Sequence, residues 1–478
     1  MNPAFSQMAI WMVEPVTWLV IGVGLAQNGI YLLQLLLAYR YLKKRAVTET
    51  GSSLWRQFSD ITPPMSILVP AYNEEAVIVE SVRSLISLHY PSFEVIVVND
   101  GSRDDTLKTL MAAFELTPVI RAWENALEHK PIRELYGNPK FPNLLVIDKE
   151  NGGKADALNA GLNIARMPLF CAVDADSILE DDALLRCVEP FIDDPERTIA
   201  IGGTIRVANG CTVENGRVTR VALPREFLPL LQTMEYLRAF LIGRVGWSEL
   251  KAVTVISGAF GIIRREIAVA AGGYSTDTVG EDMEIIIKIQ KAALARQQDY
   301  RIHFVPEPVC WTEAPSTLPV LRRQRIRWQR GALETFFRHC GLLFNPRYGR
   351  LGIIGFGHML LVDVLGPPIE FLGYLLIPLF WYLNLIDFGF VLAFLALTFS
   401  FGVFISVGSL ILEEIELHRF PNPADILVLL CVAIVENFGY RQINNLFRIE
   451  GWWKFLIGTK GNWGEMTRKG FTINKKKL

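Results

Sequence analysis

Two long stretches of this chain carry almost no charge, and they flank a middle of ordinary composition. Residues 15–39 (PVTWLVIGVGLAQNGIYLLQLLLAY) contain no Asp, Glu, Lys or Arg, and residues 351–412 contain no Lys or Arg and only Asp363, Glu370 and Asp387 as acids. A helix of about 20 apolar residues crosses a hydrocarbon core about 30 Å thick, so both stretches are long enough to span a bilayer. The second divides near Asn384–Asp387 into 353–381 and 388–411. A third run, 426–435, stops at Glu436 and reads as a re-entrant or interfacial piece, or as a span that takes Glu436 and Arg441 into the membrane. Hydrophobic residues make up 51% of the 478 and charged residues 20%. A soluble protein carries about 25% charged residues. This balance excludes a disordered chain, a collagen-like chain and a small disulfide scaffold.

Flanking charge sets an expected orientation. Arg40, Lys43, Lys44 and Arg45 follow the first span, and Lys454, Lys460, Arg468, Lys469 and Lys475–Lys477 crowd the tail. The positive-inside rule then puts the N-terminus outside and both the middle and the tail in the cytoplasm. Three crossings satisfy this, with the third apolar run interfacial; the count is open by one. Residues 15–39 lack the basic leader and small cleavage-site residues of a signal peptide. Asp363 and Glu370 are seven residues apart and are expected on one helix face, either as packing hydrogen bonds or as a polar path. The six cysteines form no CxxC pair, as suits reduced, buried residues in a cytosol-facing domain. The net charge of -1 gives no basic excess for nucleic acid.

The middle alternates strand and helix. MSILVP (65–70), FEVIVV (93–98), LLVI (144–147) and LFCAV (169–173) read as strands. Helices are expected from Asn73 to Pro91, over 104–115, over 154–165 and over 281–295. This alternation predicts an α/β fold with a mostly parallel sheet, whose ligand lies beyond the carboxyl ends of the strands. Those ends carry Tyr72-Asn73, Asn99-Asp100-Gly101-Ser102 and Asp174-Ala175-Asp176. No GxGxxG opens a helix after the first strand, and no GxxxxGK[ST] is present.

Several residues could carry chemistry. Asp174 and Asp176 at a strand end can hold a divalent ion with a diphosphate completing its shell, although a DxD alone is also an ordinary turn. Asp100 either closes an Asx-turn or presents a carboxylate to a base or ribose. Lys154 opens a helix after Gly152-Gly153, where an anion or plain solvent could sit. Gly280-Glu281-Asp282 starts another helix, where acids are favoured by the dipole in any case. Ser257-Gly258-Ala259-Phe260-Gly261 allows close backbone approach. Arg322, Arg323, Arg325, Arg327 and Arg330 lie in LRRQRIRWQR (321–330), as a lipid-facing helix or as a polar-aromatic edge of Gln324, Arg327 and Trp328.

Taken in order, SILVPAYNEE, VVNDGS, GKADALNAGL, DAD, SGAFGIIRRE, GED and QRIRW resemble membrane-embedded family-2 glycosyltransferases over roughly residues 65–330. The set is most similar to the processive polysaccharide synthases that make poly-N-acetylglucosamine, chitooligosaccharides, hyaluronan or cellulose. The resemblance implies a GT-A, Rossmann-like cytosolic domain flanked by transmembrane and interfacial helices. It implies that Tyr72, Glu74, Asp100, Lys154 and Asp174 hold a UDP-sugar, and that Asp176 with Asp174 binds Mg2+ or Mn2+. It further implies Asp282 as general base, and Gln324, Arg327 and Trp328 as the QxxRW frame of the acceptor. Trp463 and Arg468 loosely resemble a gating loop. SGAFG resembles the poly-N-acetylglucosamine and hyaluronan type more than the cellulose type. Only one N-terminal span is evident, where some relatives have two, and the insertion at 117–143 matches none of the motifs.

The expected organisation is an N-terminal transmembrane helix (1–45), a cytosolic GT-A domain (46–315), interfacial amphipathic helices with QxxRW (316–350), a C-terminal transmembrane or re-entrant region (351–450) and a cytosolic tail (451–478). The expected activity is metal-dependent, inverting transfer of a sugar, N-acetylglucosamine by preference, from a UDP-sugar to a growing glycan at the inner membrane. The alternatives are single-sugar transfer to a polyprenyl-phosphate or other lipid acceptor, and a catalytically inactive membrane receptor or scaffold. Nucleic acid is not an expected partner, and partner subunits are not specified by the sequence.

Overall fold

The computed structural model describes residues 3–44, 51–214, 216–417 and 422–458. Among them are twelve strands: β1 (Met65–Ala71), β2 (Phe93–Asp100), β3 (Thr117–Pro118), β4 (Ile132–Asn138), β5 (Phe141–Lys149), β6 (Leu169–Val173), β7 (Ile178–Leu179), β8 (Thr198–Val207), β9 (Thr212–Glu214), β10 (Arg217–Arg220), β11 (Phe260–Arg264) and β12 (Arg301–Thr312). Ten form one sheet in the order β3-β4-β5-β2-β1-β6-β11-β8-β12-β7, and β9 with β10 form a separate hairpin.

The four strands expected from the sequence are β1, β2, β5 and β6. They run parallel as β5-β2-β1-β6 at the centre of the sheet. Near-continuous runs of Val, Ile and Leu suit strands covered on both faces. Ile67, Val69, Val95 and Val97 enter one buried cluster, while Leu68, Ile96 and Val98 enter the other, as period-two alternation requires. The sheet is mixed beyond that centre. β11 lies antiparallel between β6 and β8, and β8 pairs parallel with β12. The 117–143 insertion, which matched no motif, supplies β3 and β4 as an antiparallel margin on β5.

Register levels the strand ends. Ala71 lies opposite Asn99, and Asp100 opposite Lys149. The turns after β1, β2, β5 and β6 therefore open on one edge. One local expectation fails there. The helix expected from Asn73 begins at Ile78, and Asn73 sits at φ 57°. Its side chain accepts from the Arg103 N–H at 2.9 Å instead of capping a helix, which ties the turn to its neighbour. The other helices fall close to expectation, at Thr106–Phe114, Lys154–Ile164 and Glu281–Ala295.

Among the described residues, three helical stretches are long and apolar enough to cross a membrane: Val13–Lys44, Leu351–Tyr382 and Phe388–Ile415. Pro423–Val435 and Tyr440–Leu456 meet at a 57° bend and amount to a fourth only if taken as one broken span. The middle stretch is irregular, with π-helical turns at Leu351–Gly355 and Met359–Val364 before the regular helix Gly366–Tyr382. Asp363 and Glu370 fall on either side of the boundary between the last π-helical turn and that helix. Asp363 pairs with Arg448, while Glu370 accepts from the Tyr374 hydroxyl one turn along its own helix.

Candidate active site

The turn after β1 and the turn after β2 are stitched together. The Asn73 N–H donates to Ser102 Oγ at 3.0 Å, and the Glu74 N–H donates to Thr106 Oγ1 at 2.9 Å. This leaves the Tyr72 side chain 38% exposed at the mouth of a cavity of about 2660 Å³.

Asp100 lines the same cavity but is 2% exposed, and its carboxylate holds protein groups. Oδ1 accepts from Lys149 Nζ at 2.6 Å and from the Gly152 N–H at 3.0 Å. Oδ2 accepts from the Gly153 N–H at 2.7 Å and from Asn151 Nδ2 at 3.1 Å. Lys149 is fully buried between Asp100 and Asp156, whose Oδ1 lies 2.5 Å from its Nζ. The turn needs a glycine at 101, where φ is 64° and a Cβ would fall 2.8 Å from the Asn151 nitrogen. Asp100 was read as a direct contact to base or ribose. Its hydrogen bonds give it a prior task, to shape the 149–153 segment that delivers Lys154. Lys149 and Asn151 have no motif signal and were missed.

Lys154 starts the helix Lys154–Ile164 and reaches three groups at once. Its Nζ lies 2.5 Å from Asp174 Oδ1 and 3.6 Å from Glu281 Oε1, and it donates to the Gly258 carbonyl at 3.3 Å. Burial alone would lower the Lys154 pKa, but Asp174 and Glu281 outweigh it and raise the value. Burial pushes the Glu281 carboxyl up, against the pull of Lys154. Glu281 was not singled out as a site residue; its place beside Asp282 in GED was the only available signal.

Asp282 lies in the first turn of Glu281–Ala295. Its Oδ2 accepts from the Gly258 N–H at 3.1 Å, and its Oδ1 from the Met283 N–H at 2.9 Å. A Cβ at Gly258 would lie 2.9 Å from Lys154 Nζ and 3.4 Å from Asp282 Oδ2, which explains the small residue in SGAFG. A second close approach brings in the arginine-rich helix Leu318–Arg338. Cβ atoms built on Gly280 and Gly331 would fall 2.8 and 2.7 Å from each other's Cα, so this helix presses directly on the turn before Asp282. Gln324, Arg327 and Trp328 consequently line the cavity with Asp282, and Trp328 is 43% exposed. Arg325, also on the cavity wall, is paired with Glu235 at 2.5 Å and lies over the Trp328 ring, 4.4 Å from its centroid. Trp463 and Arg468 lie outside the described residues.

Asp174 and Asp176 form a two-carboxylate set at the end of β6, both on the cavity wall. Among the described residues no group of three or more Asp, Glu, His or Cys could hold a metal. Two hard carboxylates fit Mg2+ or Mn2+, which bind through one or two acids and fill the remaining positions with water and phosphate oxygens.

The comparisons with known proteins agree with this geometry. The model for glycosyl transferase family 2 matches residues 66–268, and that for glycosyl transferase family group 2 matches 169–405. The chain belongs to the family-2 glycosyltransferases. This glycosyltransferase is 28% identical over 342 residues to the poly-beta-1,6-N-acetyl-D-glucosamine synthase of Staphylococcus epidermidis, across 71% of this chain and 69% of that one. The enzyme of the same name from Staphylococcus aureus (strain COL) is 30% identical over 276 residues, 57% of this chain and 56% of that one. Among solved structures, a mannosyltransferase from Pyrobaculum calidifontis in complex with GDP-Man and Mn2+ has the same fold, with a TM-score of 0.54 and 20% identity, covering 93% of this chain and 99% of that one.

Proposed function

We propose that this glycosyltransferase moves N-acetylglucosamine from UDP-N-acetylglucosamine to the end of a growing β-1,6-linked glycan, and that the product leaves through the membrane helices. The carrying observation is the extent of the cavity. The same wall that holds Lys154, Asp174 and Asp282 continues to Tyr31 and Gln34 on the first apolar helix and to Val362, Asp363 and Arg448 beyond. The staphylococcal relatives named as poly-N-acetylglucosamine synthases supply the sugar and the linkage.

In this reading the nucleotide lies over Tyr72 and Glu74 at the edge framed by Asp100, with its diphosphate towards Lys154. Asp174 and Asp176 would hold a Mg2+ or Mn2+ ion, which would supply Lewis acidity to the leaving diphosphate. The acceptor hydroxyl attacks the anomeric carbon as the bond from that carbon to the UDP oxygen breaks, which inverts configuration, and the hydroxyl proton passes to Asp282. Arg327 adds positive charge near the leaving group, and Trp328 offers the acceptor ring an apolar face. The catalytic face is cytoplasmic and the protein a multi-pass protein of the inner membrane, by the basic residues after the first span.

The test uses the full chain in lipid nanodiscs with radiolabelled UDP-N-acetylglucosamine. A long product cleaved by a hydrolase specific for β-1,6-linked N-acetylglucosamine is expected. A single sugar on a lipid carrier would replace the polymer reading, and absence of UDP release would replace the enzyme reading. Asp282→Asn should lower turnover by about 10²–10⁴ while UDP binding stays nearly unchanged. A fully active Asp282→Asn protein would remove the base assignment.

A further inference from the structure

The arginines on the membrane side of the cavity are paired, with one exception. Arg238 meets Glu436 at 2.5 Å, Arg325 meets Glu235, and Arg448 meets Asp363 at 3.2 Å. Arg244 has no ion pair and no hydrogen bond among the described residues, and its Nη1 is buried without a partner. Its guanidinium instead lies over the Phe240 ring, 3.8 Å from the centroid. Burial pushes its pKa down to about 10, with the charge of Asp282 pulling the other way, so it remains cationic near neutral pH. The residue as a whole is part-buried and lines the cavity, so its charge is open to a ligand there.

The surroundings narrow what that role can be. Arg244 ends the π-helical segment Arg238–Arg244, and the adjoining Gly246 packs against the backbone of Gln34 on the first apolar helix. It thus enters the cavity from the membrane side, whereas Lys154, Asp174 and Asp176 enter from the strand ends. The Phe240 ring covers one face of the guanidinium, so its edge N–H groups are what remains for a ligand. Arginine is a donor without an acceptor, and its planar fork donates to carboxylate, phosphate or carbonyl oxygens. The strongest neutral acceptor on an N-acetylated sugar is the acetamide carbonyl.

We infer that Arg244, held flat by Phe240, donates to the acetamide oxygen of the acceptor's terminal sugar and thereby selects N-acetylated over de-N-acetylated chain ends. This rests on the glycan-synthase reading above and adds a specificity-determining residue to it. The part of the guanidinium edge that reaches the cavity then gains a partner only when an acetylated acceptor is seated, which favours extension of an acetylated chain.

The experiment compares two primers, oligomers of β-1,6-linked N-acetylglucosamine and of β-1,6-linked glucosamine, with UDP release from UDP-N-acetylglucosamine as the readout. Wild-type enzyme should prefer the acetylated primer. Arg244→Met should raise KM for that primer about tenfold, the loss expected for one charge-assisted hydrogen bond, and abolish the preference. Its KM for UDP-N-acetylglucosamine and its inhibition by UDP should stay near wild type. Phe240→Leu should give the same pattern at smaller size. A merely structural arginine is distinguished by thermal unfolding, because removing a part-buried charge that has no ion pair should leave Tm equal or higher. Retained primer preference, an equal loss against donor and UDP, or a clear fall in Tm would each overturn the assignment. If wild type releases no UDP from UDP-N-acetylglucosamine, the glycan-synthase reading itself fails before the variants are compared.

Discussion

The two ends of the cavity are built differently. At the strand ends, polar groups close on one another: Asp100 takes four donors, Lys149 is clamped between two aspartates, and Lys154 sits on Asp174. At the membrane end the walls are helices, with π-helical turns at Arg238–Arg244, Leu351–Gly355 and Met359–Val364. The polar groups there include partly exposed pairs such as Arg448–Asp363 and the unpaired Arg244. π-helical turns widen a helix locally and recur at functional sites. The contrast separates two demands. A donor site must hold one nucleotide in one pose, so its charges are fixed before the ligand arrives. On the proposed reading the membrane end is a path for successive sugar units, and a moving ligand calls for looser contacts.

The comparison breaks most visibly at the metal. If the strand-end carboxylates serve a divalent ion, stripping the purified enzyme with EDTA should reduce UDP release at least about 10³-fold, since the diphosphate loses its Lewis acid. Mg2+ or Mn2+ should restore it. In the protein alone Asp174 is engaged by Lys154. Ion and lysine then compete for Asp174 until a diphosphate gives the lysine a second partner. Metal affinity should accordingly rise when UDP is present, measured by titration calorimetry. Turnover that survives EDTA would show that the strand-end acids serve something other than a metal.

A smaller effect tests the claim of pre-set rigidity. Lys149→Met leaves Asp100 and Asp156 buried without their shared cation. Removing one partner of a buried ion pair costs about 3–5 kcal/mol. Thermal unfolding should register that loss, and KM for the UDP-sugar should rise in the fraction that remains folded, because the 149–153 segment loses its anchor. A Lys149→Met protein with wild-type Tm would mean that the strand-end network is no more rigid than the membrane end.

The same division explains what could be read from the chain without coordinates. The four central strands, the DxD pair, Lys154, Asp282 and the QxxRW residues are local patterns, so their types and spacing are visible along the sequence. Lys149 is not, because a lysine ending a strand looks solvent-exposed until Asp156, on the following helix, closes over it. Asp100 stood out in the VVNDGS turn, but its partners come from the separate segment 149–153. Asn73 resembled a helix cap because it precedes two acids; the turn to which it is tied lies 30 residues away in sequence, at Arg103. Arg244 ends LRAFLIGR, where the two arginines of an apolar helix are expected to seek solvent or lipid headgroups. Only the packing of that helix against Gln34 shows that it faces the cavity. The Gly280–Gly331 approach is invisible for the same reason, since each glycine is ordinary within its own helix or turn.

The mildest prediction concerns the membrane end itself. Arg448 donates to Gln329 Oε1 at 2.7 Å, to the Val362 carbonyl at 2.8 Å and to Asp363 at 3.2 Å. It joins the Tyr440–Leu456 helix to the QxxRW helix and to the π-helical turn. Its side chain is 28% exposed and that of Asp363 26%, so water already screens the pair. Pairs of this kind contribute about 0.2–1 kcal/mol. Arg448→Met should therefore shift Tm far less than Lys149→Met and lower UDP release only about two- to threefold. Its larger effect should fall on product length, because a loosened junction between the acceptor frame and the exit path lets the chain leave sooner. Gel analysis of radiolabelled product should show shorter chains at equal UDP release. A variant that releases UDP slowly but still makes full-length chains would place Arg448 in the chemistry rather than on the path, and the two ends of the cavity would then act as one site.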